Sequence, residues 1–243
     1  MTVKIIETGK YDLKSPYLIE GFPGIGLVGT MAASYLVEQL NMEPFGHVVS
    51  EKFSPIASIH NGRPLHPTRM YKSKKHNLVV LFSELVIPLN TIYPLSQEIY
   101  TWAKAHKVRQ IISLGGINQK GEQDNVYGIA SLPELSQLLE RKGIELIKEG
   151  ATTGVSGILL ADCATRNFPA ISLLAEAHAE YMDPRGAAMV LEALSRVTSI
   201  KVDTTALEKQ GKLIEDKMKQ LMEQAKGAHE DYQKTSKLGP MYG

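Results

Sequence analysis

The chain has 243 residues, with 27 Lys and Arg against 26 Asp and Glu, one cysteine and one tryptophan. A formal charge of +1 excludes the broad basic footprint of a nucleic-acid binder, whose affinity rests on many Lys/Arg–phosphate contacts. Cys163 alone makes neither an intramolecular disulfide nor a cysteine-based zinc site, which points to a reducing compartment. Residues 1–7 hold no apolar signal-like run. The longest apolar stretch, 78–89, is broken by Ser83-Glu84 and is too short to span a bilayer. The expectation is a soluble cytoplasmic protein with neither nucleic acid nor membrane among its partners.

Along the first 200 residues, short apolar β-rich runs predict strands at 17–19, 47–49, 78–82, 110–114, 144–147 and 170–174. Between the first two, Val28, Met31, Ala32, Tyr35, Leu36 and Leu40 follow the spacing of one helix face. The segment 53–71, with its prolines and glycine, reads as an inserted hairpin or loop. Pro133-Glu134 opens a helix that Gly143 ends, another helix follows over 158–164, and Asp183-Pro184 reads as an N-cap with proline at N1, starting a helix through Val197. Strands alternating with helices predict an α/β fold with a mainly parallel sheet covered on both faces, three layers in all, over residues 1–202.

From Asp203 the composition shifts to Lys, Glu and Gln. Asp203 and Thr205-x-x-Glu208 supply capping chemistry. Leu207, Gly211, Ile214, Met218, Leu221 and Ala225 then repeat at 4-3-4-3-4 spacing, a short heptad seam over 203–227. Such a seam packs either on its own domain or between subunits. The second reading makes Leu207, Ile214, Met218 and Leu221 candidate oligomerisation residues. Residues 228–243 show no apolar periodicity and read as a flexible tail.

Gly24, Gly26 and Gly29 satisfy G-x-G-x-x-G between a strand and a helix, the setting of a phosphate-binding loop. The acidic partner that a dinucleotide fold places about 20 residues on has no good match, so a tight turn with close helix–sheet packing competes with ligand binding. No P-loop occurs: Gly116-x-x-x-x-Gly121 is followed by Glu122, lacking the Lys and Ser/Thr that hold nucleotide phosphates and Mg²⁺. Gly154-Val-Ser156-Gly157 falls one residue short of a nucleophile elbow, and Cys163 reads as a core thiol. The seven histidines show no metal-ligand spacing. The basic stretch Arg63, Arg69, Lys72, Lys74 and Lys75 reads as a solvated rim.

The last three residues form a different kind of motif. Met241-Tyr242-Gly243 is hydrophobic–Tyr–any residue–carboxylate. An aromatic wall contact plus a main-chain carboxylate can enter a cleft that offers an apolar face and a lysine. Gly239-Pro240 upstream favours an extended presentation.

Taken together, these segments resemble the proteasome assembly chaperones, particularly their archaeal-type homologues. The likeness rests on the nonapeptide Gly21 to Gly29, on Gly154-Val-Ser-Gly-Ile158, on Asp183-Pro-Arg-Gly-Ala-Ala188 and on Asp203-x-x-x-Leu207-Glu208. The resemblance implies a phosphorylase/hydrolase-like three-layer α/β/α fold without a demonstrated active site. It implies homo-oligomers that dock on the α-subunit ring of the 20S proteasome, with Met241, Tyr242 and Gly243 as the docking residues. The expected role is an ATP-independent assembly chaperone or gate-opening activator, not an enzyme, with no cofactor and no metal. The alternative is a phosphate- or nucleotide-binding enzyme using the Gly24/Gly26/Gly29 loop, with Glu20 or Glu84 as acid or base.

Overall fold

Nine strands make one sheet in a computed structural model that describes residues 3–118, 125–178, 182–207, 220 and 223. In chain order the elements are β1 (Val3–Glu7), β2 (Tyr17–Gly21), α1 (Val28–Gln39), β3 (Glu43–Ser50), β4 (Ser58–His60), β5 (Arg63–Leu65), β6 (Thr68–Ser73) and β7 (Leu78–Ser83). They continue with α2 (Ile92–Ala105), β8 (Gln110–Asn118), β9 (Val126–Ala130), α3 (Pro133–Arg141), β10 (Glu145–Leu146), α4 (Gly154–Thr165), β11 (Ala170–Ala177) and α5 (Pro184–Thr198). The sheet order is β1-β3-β6-β7-β2-β8-β11-β9-β10, and β4 and β5 pair separately.

The fold is mixed α/β with a large, mainly parallel central sheet and helices on both sides. The centre, β7-β2-β8-β11, is parallel throughout, while β1, β3 and β6 on one flank and β9 on the other pair antiparallel. Central strands buried on both faces read as continuous apolar runs, as Leu78–Ser83 does with every residue buried. Alternation then divides two cores. Ile19, Val80, Ile112 and Leu173 face α1 and α5, whereas Leu18, Val79, Leu81 and Ile111 face α2 and α4.

All six predicted strands are present. α1, α3 and α5 open and close near the predicted signals, whereas α4 already starts at Gly154, one turn before the predicted 158, so that Ser156 lies in the helix and not in a turn before it. Asp183 caps α5 by accepting a hydrogen bond from the Gly186 amide at 2.9 Å. The patterns do not announce β1, β6, β9 or α2. The 53–71 segment does hold a hairpin, turned at Asn61 and Gly62 with φ of 50° and 74°. Its last residues, however, belong to β6 in the main sheet, a correction to the loop reading.

The basic stretch also needs correcting at two positions. Arg69 and Lys72 are buried, because β6 turns them inward: Arg69 onto Glu84, and Lys72 onto Asp12 at 2.9 Å and the Lys10 carbonyl at 2.6 Å. At the C-terminal end, Leu207 is fully buried in the core beside α1 and α5, so the first seam position is used within its own domain. Gln220 and Glu223 are helical and exposed, and neither lies on the seam. Ile214, Met218, Leu221, Gly211 and Ala225 lie outside the described residues, as do Met241, Tyr242 and Gly243. Among the described residues no helix is long and apolar enough to cross a membrane.

Candidate functional site

Three of the signature segments meet at the carboxyl ends of the central strands, the position where open α/β sheets bind ligands. The glycine loop runs from the end of β2 to α1. A Cβ on Gly21 would overlap the Gly29 carbonyl, and one on Gly29 would overlap the Leu114 carbonyl of β8. Gly116 of β8 is equally tight against the Ile25 carbonyl. Gly26 has φ +61°, and a Cβ there would lie 2.9 Å from the Ala177 Cβ and 3.1 Å from the Asp183 Cβ. The Asp183 amide bonds to the Gly26 carbonyl at 2.9 Å, and a Cβ on Gly186 would meet Val28 at 2.9 Å. The first and third segments are thus joined backbone to backbone. These glycines let chain touch chain. Gly24 differs from the rest of the loop: a Cβ there would come no closer than 4.0 Å, to the Phe22 carbonyl.

The second segment meets the same region from the opposite face. Gly154, with φ +75°, starts α4, and Ser156 lies in its first turn. Ser156 and Ser113 of β8 approach Glu20 of β2, which is fully buried. Burial pushes the Glu20 carboxyl up to about 7, and the two hydroxyls only partly oppose this. Neither Glu20 oxygen has a partner at hydrogen-bonding geometry, and the buried Ser172 hydroxyl, one strand beyond Ser113, is also unsatisfied.

Glu84 has the contrary environment. Burial alone would raise its carboxyl, but His60 at 2.9 Å and the Arg69 guanidinium at 2.6 Å and 3.0 Å bring it down to about 2. Arg69 also lies over the Phe82 ring at 5.1 Å and donates to the Tyr71 hydroxyl at 3.0 Å. His66 is stacked on His47 with ring centroids 4.0 Å apart. Glu20 is therefore sealed from solvent, and Glu84 is held ionised by two partners. Neither offers an acid or base to a solvent-borne substrate in this arrangement. Cys163 is fully buried, with burial pushing its thiol up to about 12, as a core thiol should be.

A feature without a sequence motif lies beside this cluster. A groove of about 500 Å³ is walled by Phe53, Pro55, Ile56, Pro67, Val86 and Pro88 among others. Its walls come from the β3–β4 connection and from the β7–α2 connection, which periodicity leaves unassigned. The one available signal is the apolar run Leu85-Val86-Ile87-Pro88-Leu89 continuing past the end of β7.

The model of a known family matches residues 18–222, a span that contains all three signature segments. The chain belongs to the PAC2 family. It is 35% identical over 223 residues to an uncharacterized protein of Methanocaldococcus jannaschii, covering 92% of each chain. Among solved PAC2-like structures it is similar to Pyrococcus furiosus PbaA, an archaeal homolog of proteasome-assembly chaperone. The TM-score there is 0.83 at 30% identity, covering 93% of this chain and 99% of PbaA. It is also similar to PbaB of the same organism, an archaeal proteasome activator. That match has a TM-score of 0.75 at 25% identity, covering 90% of this chain and 98% of PbaB.

Proposed function

We propose that this PAC2 protein binds the 20S proteasome, docking Met241, Tyr242 and Gly243 into pockets of the α-subunit ring as an ATP-independent assembly chaperone or activator. The observation that carries this reading is the near full-length likeness to both PbaA, a homolog of proteasome-assembly chaperone, and PbaB, a proteasome activator. The absence of a G-x-x-x-x-G-K-[ST] segment anywhere in the sequence supports action without nucleotide. The phosphate-binding alternative has less support, because packing already accounts for Gly21, Gly26 and Gly29.

In this reading Met241 fills a small apolar contact, Tyr242 makes the main wall contact, and the Gly243 carboxylate pairs with a lysine. Residues 229–243 span at most about 50 Å when extended, enough to reach from the body to a ring surface. A single tail of this kind binds weakly, on the order of high micromolar. The function therefore calls for a homo-oligomer presenting several tails, with Ile214, Met218 and Leu221 as candidate contacts between copies. The cytoplasm, where proteasomes and reduced thiols coexist, is the expected location.

Deleting residues 241–243 tests the proposal. Binding to 20S particles, followed by co-sedimentation, is expected to disappear while the circular dichroism spectrum and melting temperature stay unchanged. Undiminished binding by the truncated protein would falsify tail docking.

A further inference from the structure

The segment Gly154-Val-Ser-Gly-Ile158 has no part in tail docking, yet it covers Glu20, whose exposure is 0%. Glu20, Ser113 and Ser172 stand in register on β2, β8 and β11, so they form one polar row on the α2/α4 face of the sheet. Ser156 closes the row from the first turn of α4. Among the described residues, neither Glu20 oxygen nor the Ser172 hydroxyl has a hydrogen-bond partner. No described cation acts on the carboxyl either. Its register partner on β7 is Leu81, and Ser96 of α2 gives its hydroxyl to the Ile92 and Val155 carbonyls. The charged side chains of the surrounding elements are engaged elsewhere or exposed. Glu98 holds the Ile5 amide, Asp162 pairs with Gln97, Glu176 with Asn125 and Tyr127, and Lys104 is exposed.

The turn above this row is lightly held. Residues 148–153, which lead into α4, are all exposed, and among the described residues none of them makes a backbone hydrogen bond to another element. Gly150 and Gly154 bracket the lead with φ of 153° and 75°, and segment ends of this kind absorb hinge rotations. Thr153 occupies the N-cap position but makes no side-chain bond to the turn, which leaves the orphan amides without that cap. The Ser96 bond to the Val155 carbonyl at 3.2 Å ties the turn to α2. Val155 is the large side chain that the turn buries.

We infer that the first turn of α4 is a hinged cover over Glu20, which lifts from the sheet when the carboxyl loses its proton and settles back when the proton returns. An ionised carboxylate at this depth, with no partner, is costly. It is relieved by taking up a proton or by reaching water. Of its neighbours, Ser113, Ser172, Leu81 and Ser96 are buried, and Ser156 alone is half-exposed. Water therefore arrives from the side of the turn. Burial pushes the carboxyl up to about 7 from its ordinary 4.5, so the closed form holds the proton more tightly than the open one. Closure is favoured at low pH and weakens as the pH rises toward 7. Exposure of the second signature segment thus depends on pH near neutrality, whether or not the tail docks.

The test is hydrogen exchange of the full-length protein at about pH 5.5 and about pH 8.5, each corrected for the intrinsic rate. Helical amides of residues 157–160 bond back to the carbonyls of residues 153–156, so lifting the first turn frees them. Peptides covering these amides should exchange about 30-fold faster at the higher pH, the ratio expected for a carboxyl at about 7 closed and 4.5 open. In Glu20→Gln, whose fold a melting curve verifies, the ratio should fall to about 1. Low urea separates local opening from global unfolding: exchange at 157–160 should ignore it, while exchange of β8 amides accelerates. An equal pH ratio in wild type and Glu20→Gln overturns the inference. So does a urea dependence at 157–160 as steep as that of β8, since the turn would then open only with the whole chain. The urea comparison needs the wild type alone and decides the matter even if Glu20→Gln does not fold.

Discussion

Glu20 lies in the middle strand of the sheet with 0% exposure, and the groups nearest its carboxyl are the hydroxyls of Ser113 and Ser156 rather than a cation. Its folded pKa, about 7 against the ordinary 4.5, means that the folded chain holds the proton more tightly than the unfolded chain. This group's stability is therefore complete below about pH 4.5, falls as the pH rises toward 7, and levels off beyond. A shift of that size corresponds to roughly 3 kcal/mol. Glu84 works in the other sense. Its carboxyl, brought down to about 2 by His60 and Arg69, contributes above about pH 4.5 and loses that contribution as the pH falls toward 2. The two effects together place the stability maximum from these groups near pH 4.5 to 5. Glu20→Gln keeps the shape of the neutral acid and removes the ionisation. It should be close to neutral at pH 5 and stabilising by about 2–3 kcal/mol at pH 8. Urea unfolding of both proteins at the two pH values checks this, and an equal difference at both would show that Glu20 does not titrate in this range.

The glycine loop is the element where sequence and structure speak most directly to each other. Gly24, Gly26 and Gly29 match a phosphate-loop pattern in spacing alone, since spacing carries no information about what the backbone approaches. In three dimensions it is Gly29 against Leu114 and Gly26 against Ala177 and Asp183. Gly29→Ala should therefore destabilise by roughly 3 kcal/mol or more, because the obstructing atom is main-chain and cannot swing away. Gly24→Ala, with open space around it and an extended φ of −158°, should stay within about 0.5 kcal/mol. Thermal melts of the two variants separate packing from ligand approach, which would make Gly24 the sensitive position. The same contrast explains what was legible elsewhere. Leu78–Ser83 and Ala170–Ala177 announce themselves because both faces are buried, and α5 because Asp183 and Pro184 mark its start. β1, with Lys4 and Glu7 on an edge, and β6, which turns Arg69 and Lys72 inward, hide their strand character behind charge. α2 begins with Pro94 in its first turn, a tolerated position that breaks the pattern to the eye. The Glu84–Arg69–His60 cluster was out of reach for another reason: its members are 15 and 9 residues from Arg69 along the chain, and only the β6–β7 pairing and the β4–β5 hairpin bring them together.

At the scale of the whole molecule, the proposed docking tail and the proposed homo-oligomer are two halves of one energetic argument. A tail of one tyrosine, one methionine and one carboxylate has too little contact area for tight binding by itself. Presenting several tails on one particle would raise the effective concentration of the second tail at the ring once the first has engaged, with a gain of roughly 10²–10⁴ when the geometry lets both reach their pockets. Mixing full-length chains with chains truncated of residues 241–243 keeps the body and dilutes the tails, and so separates tail chemistry from tail number. Binding of the mixed particles to 20S should weaken toward that of a single tail, through faster dissociation more than slower association. Truncating every copy should then remove what binding remains. Surface plasmon resonance on immobilised 20S particles reads both rates. If the mixed particles dissociated as slowly as the wild type, one tail would suffice, and self-association would have to serve something other than avidity.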